Sequence, residues 1–79
     1  MASKVITINI VTSRTDRSVR YTEVMLVNPN STPNVIAETL RSIAQGNQFI
    51  LLDEEGRVVP PEFCSFIDGA VYDLIVQRG

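Results

Sequence analysis

Apolar and polar residues alternate along Lys4–Val11, KVITINIV. Ile6, Ile8 and Ile10 fall on one side, and Val5, Thr7, Asn9 and Val11 on the other. A period of two in a stretch rich in β-branched residues predicts a strand with its isoleucines toward a core. The polar segment TSRTDRS follows, and then a second strand is expected over Val19–Val27. Its phase is mixed. Val19, Tyr21, Met25 and Val27 share a face that Glu23 interrupts, while Val24 and Leu26 belong to the other face. A β-bulge near Glu23 would reconcile the two sets. The short polar connection makes the pair an antiparallel hairpin, with the second strand at a sheet edge.

The period then lengthens. In NPNSTPNVIAETLRSIAQG, Ile36, Leu40 and Ile43, with Ala44 beside them, recur at helical spacing, leaving Glu38, Thr39, Arg41 and Ser42 on the wetter side. Thr32 is placed to cap the helix, with Pro33 at the first helical position, where its missing N–H costs nothing. Gly46 is expected as the left-handed residue that closes the helix.

Period two returns in QFILL, and the turn DEEG followed by RVV predicts a second hairpin that Pro60-Pro61 ends. Phe49 and Leu51 should face the core, with Ile50 and Leu52 on the opposite side. PEFCSFIDG reads as a connector with one short 3₁₀ turn, in which Phe63, Phe66 and Ile67 plug the bottom of the core. Asp68-Gly69 turns the chain into AVYDLIVQ. There Tyr72, Leu74 and Val76 are expected inside, and Ile75 outside, beside Asp73. The order is strand, strand, helix, strand, strand, connector, strand. It predicts one α+β domain over residues 1–79, with a single helix on one face of a mixed sheet. The first and last strands are the most regular apolar segments, so they are expected to lie side by side at the centre, running parallel.

Composition narrows the function. The chain is 44% apolar and 20% charged, as in ordinary globular domains. A formal net charge of −2 argues against a general nucleic-acid binder. Lys4, Arg14, Arg17 and Arg20 cluster early in the chain and read as a solvated hairpin tip rather than an anion site. No run approaches the roughly 18 apolar residues that span a membrane, and the N-terminus lacks a secretory pattern. The single cysteine, Cys64, cannot form an internal disulfide, which fits a reducing, cytoplasmic setting. Placed between Phe63 and Phe66, it is expected to be a buried small hydrophobe.

Catalytic chemistry has little to work with. Histidine is absent, so no Cys-His or Ser-His pair can form, and one cysteine cannot make a zinc site. No glycine-rich phosphate loop is present. Asp53, Glu54 and Glu55 read as a solvated turn rather than a carboxylate site. The expectation is a chain that is no enzyme, with no metal, no cofactor and no small-molecule substrate. Its partner would be another protein or the rest of a longer parent chain, not nucleic acid or membrane.

The element order, the helix start NPNSTPNVIAETL, the hairpin LLDEEGRVVPPEF and the ending DLIVQRG together resemble the ubiquitin-like β-grasp superfamily, over nearly the whole chain. The resemblance implies a mixed sheet of four or five strands with one helix packed on it. It also implies a non-catalytic adaptor or header domain that docks proteins on its open sheet face. That face would carry Ile50, Leu52, Asp73 and Ile75, with Val5 or Val11 extending it, the match to the family's apolar patch falling on Ile50 and Ile75. A charge at Ile75 is then expected to abolish partner capture while leaving the melting temperature nearly unchanged. Three alternatives stand beside it. One is a covalent modifier or sulfur carrier acting through the Gly79 carboxylate. Another is a small regulatory subunit of a larger complex. The last is a strand-addition site on the edge of the second strand. The ending departs from the modifier pattern, with one terminal Gly where modifiers have two, three positions after Val76. Lys4 is the only lysine, so branched chains could grow only from Lys4 or the N-terminus.

Overall fold

The computed structural model describes residues 2–13, 15, 16 and 18–77. Strands β1 (Lys4–Val11) and β2 (Val19–Val27) precede helix α1 (Pro33–Ile43). Strand β3 (Gln48–Leu52), a 3₁₀ turn (Phe63–Ser65) and strand β4 (Val71–Gln77) follow. The sheet order is β2-β1-β4-β3. β1 runs parallel to β4, and the two outer pairs are antiparallel. This is the β-grasp layout, with the first and last strands central as their regular patterns predict.

The core lies between one face of the sheet and α1. Ile6, Ile8 and Ile10 of β1 and Leu74 of β4 are fully buried there with Ile36 and Leu40 of the helix. Each such aliphatic contributes roughly 1.5–3 kcal/mol when taken out of water. The Tyr21 hydroxyl donates to the Ile43 carbonyl at 2.6 Å and ties the end of α1 to β2. Phe66 meets Tyr72 edge to face, with ring centroids 5.4 Å apart.

Local chemistry sets the ends of α1. The Thr32 hydroxyl accepts the Val35 N–H at 3.3 Å, and Pro33 follows as expected. The other end closes one residue earlier than Gly46 suggests. Gln45 is the first left-handed residue, at φ 59°, and Gly46 is the second, at φ 81°. Gln45 N–H donates to Ser42 O, and Gly46 N–H to Arg41 O. This paired closure satisfies two orphan carbonyls and requires a left-handed residue directly after Ala44.

Two expectations about the strands are corrected. The register break between β1 and β2 lies between Ile10, opposite Tyr21, and Val11, opposite Val19. The extra residue is therefore Arg20, not one near Glu23. Past this bulge, Tyr21, Glu23, Met25 and Val27 alternate regularly on the helix side. Glu23, opposite Ile8, reaches water because β2 has no strand on its outer side. Val19 moves to the other face. The return strand after DEEG is reduced to a single bridge, Leu52 with Val58. Val59 still donates to the Leu51 carbonyl, and Pro60, the next residue, cannot donate to a ladder.

Candidate interaction surface

The acidic turn is built by its own side chains. Asp53 Oδ1 accepts the backbone N–H groups of Glu55 and Arg57, each at 2.9 Å, and Oδ2 accepts Arg57 Nε at 3.1 Å. The Arg57 guanidinium also reaches Glu55 at 2.9 Å. The Arg57 backbone N–H is the main influence holding the Asp53 carboxyl below its usual value. Partial desolvation opposes it, and the Glu55 N–H and the Arg57 side chain reinforce it. Asp16 is lowered in the same direction by the hydroxyl and then the N–H of Ser18. Among the described residues no three His, Cys, Asp or Glu side chains come together, and no polar side chain is buried.

The connector and the lysine packed against it differ from expectation at three residues. Cys64 is exposed. In a 3₁₀ turn, residues three apart share a face, so Phe63 and Phe66 point inward and Cys64 points away. Ile67 is also exposed rather than part of the core plug, because the chain is extended at Phe66 and the next side chain turns outward. Lys4 is no solvated tip. Its ammonium donates to the carbonyls of Phe63 at 2.9 Å and Phe66 at 2.7 Å, and lies 4.2 Å from the centre of the Phe63 ring. The one amine side chain of the protein is thus committed to closing the connector against β1.

On the sheet face away from α1, Ile50 lies opposite Ile75 and Leu52 opposite Asp73. Val11 flanks Ile75 on its other side. The four residues expected to form the docking patch are therefore brought together. Their expected exposure is not found. Leu52 is 3% exposed, Ile75 4% and Val11 1%, and the three form a second small core with Ile50 partly buried against it. Opposed side chains on neighbouring strands stand about 5 Å apart, so these aliphatics pack side by side and take surface from one another.

A larger accessible apolar surface lies on the other half of the same face, while Val19, 52% exposed, stands by itself beside Val11. Val5 is directly opposite Leu26, and Val24 is opposite Thr7. Val24 is 70% exposed, Leu26 58% and Val5 46%. Asn9 and Thr22, joined by a 3.0 Å hydrogen bond, and Asp73 form a polar row between this patch and the second core. The signal for the patch was present in the sequence, in the two aliphatics of β2 that fall out of step with Met25 and Val27.

A hollow of about 820 Å³ opens at the far end of the sheet, between Ile10, Tyr21, Gln45 and Ile75, with Arg20 on its wall. Arg14, Arg17 and Gly79, singled out above, lie outside the described residues. No described helix is long and apolar enough to cross a membrane. No protein-family model matches this sequence, and comparison with curated proteins finds no match.

Proposed function

We propose that this chain is a non-catalytic protein-interaction module of ubiquitin-like type, an adaptor or header domain that docks another protein on its open sheet face. One observation carries the reading. Val5, Val24 and Leu26 form a contiguous, exposed aliphatic patch on the face that α1 leaves uncovered. Single exposed aliphatics are ordinary on protein surfaces. Contiguous ones mark interaction sites more often. The second core of Val11, Leu52 and Ile75, with Ile50 against it, gives this face a packed half beside the accessible one. Asp73 and the Asn9–Thr22 pair supply a polar border, as interfaces with an apolar centre and a polar rim have. The partner is a protein segment offering aliphatic side chains, and an exposed free thiol at Cys64 fits a reducing, cytoplasmic setting for the encounter.

The test is quantitative capture from the native source followed by titration of the purified partner. Leu26→Asp should abolish binding, and Thr39→Asp on the exposed side of α1 should leave it unchanged. Equal affinity of wild-type and Leu26→Asp protein would overturn the proposal.

A further inference from the structure

The two edges of the sheet are unlike. β3 is five residues long, and its outer side is partly engaged, by the Leu52–Val58 bridge and the Val59 N–H donating to Leu51 O. β2 is nine residues long with no strand beyond it. Long open edges are pairing sites unless something blunts them, such as bulges or charges turned toward the core face. β2 has both devices, in its first half. Arg20 is the bulged residue, and Glu23 is the charge on the helix side. From Val24 to Val27 there is no charge, no proline and no bulge, and the outward side chains are Val24 and Leu26.

We propose that this unprotected half of β2 pairs antiparallel with β2 of a second copy of the chain, about a two-fold axis at Met25. The alternatives in register decide the axis. Centred on Glu23, pairing sets two carboxylates face to face, which is destabilising. Centred on Val24, it places Leu26 against Thr22. Centred on Met25, it places Val24 against Leu26 of the second copy, twice, so both exposed aliphatics gain an aliphatic neighbour. Glu23 then lies opposite Val27 of the second copy, so the two Glu23 carboxylates stand apart, each facing an aliphatic side chain. The product is a continuous eight-stranded sheet whose open face joins the two Val5–Val24–Leu26 patches into one. This goes beyond the docking proposal and does not depend on it, since it needs no other protein.

Sedimentation equilibrium of the purified chain, diluted from millimolar concentration, should show a monomer–dimer equilibrium. Leu26→Lys should weaken it at least about tenfold without lowering the melting temperature at dilutions where both proteins are monomeric. The register is read from cross-linking in a Cys64→Ser background, with Val24→Cys and Leu26→Cys proteins mixed. Opposed positions lie closer than diagonal ones. The mixed disulfide should therefore form faster than either homodisulfide. A monomer mass throughout the series, or dominance of the Val24→Cys homodisulfide, would overturn the proposal. Partner capture without self-association would sink the dimer alone, and self-association without capture would sink the docking reading alone.

Discussion

Ile75 and Leu26 are both aliphatic residues facing away from the helix, and they should respond oppositely to the same substitution. Ile75→Asp would put a carboxylate into the second core beside Val11 and Leu52. It should cost about 3 kcal/mol or more, read by denaturant unfolding. Leu26→Asp changes an exposed side chain and should stay within about 0.5 kcal/mol of wild type. Alternation along β4 shows which face Ile75 belongs to. It carries no information about whether neighbours on other strands cover that face, and this is why the burial of Leu52 and Ile75 was not legible. Lys4 was hidden for a similar reason, because its partners are carbonyls some 60 residues away in sequence. Hydrogen bonds to a charged donor contribute about 1.5–3 kcal/mol. Lys4→Met should therefore destabilise the fold by about 2 kcal/mol, although it keeps an unbranched apolar stem. At Gln45 a substitution should help. A side chain in the left-handed region costs roughly 1 kcal/mol, so Gln45→Gly should raise stability by up to about that amount, measured by thermal and urea unfolding.

At the scale of elements, the turn after β3 ties stability to acid. The folded Asp53 carboxyl titrates below its unfolded value. The stabilisation it gives is complete above the ordinary carboxylate value and is lost as pH falls through the lowered one. Asp53→Asn removes the charge and should flatten part of the acid limb of the stability profile, leaving stability near neutrality lower and less pH-dependent. Asp16 is shifted in the same direction, so the acid limb should flatten further in the Asp16→Asn, Asp53→Asn pair than in the single substitution. The turn itself was legible, because Asp53 and Gly56 are suited to it by chemistry local to four residues. The bulge was not. Mixed phase in β2 demands one extra residue but accepts several positions for it, and only the register against β1, with Val11 opposite Val19, selects Arg20. The return strand was over-read for the opposite reason: RVV has strand propensity, but the following prolines leave it only one bridge.

For the whole molecule, the order of strands and the parallel central pair followed from two regular patterns at the chain's extremes. The division of the open face did not, because it arises only when four strands are laid in register. That division has a dynamic consequence. β1 and β4 each have a strand on both sides, so their amides should exchange with deuterium only through global unfolding. β2 is paired on one side, so in dilute solution its amides should separate into alternating classes, those turned to β1 protected and those turned outward exchanging fast. If β2 pairs with a second copy about Met25, raising the protein concentration should slow exchange only at the outward amides of residues 22–28, leaving those of β3 unchanged. A partner docking on Val5, Val24 and Leu26 from above the sheet leaves the outward edge amides fast and instead shifts side-chain methyl resonances of those three residues. Exchange measured at two concentrations, with and without partner, therefore reads the edge and the face of the same strand separately.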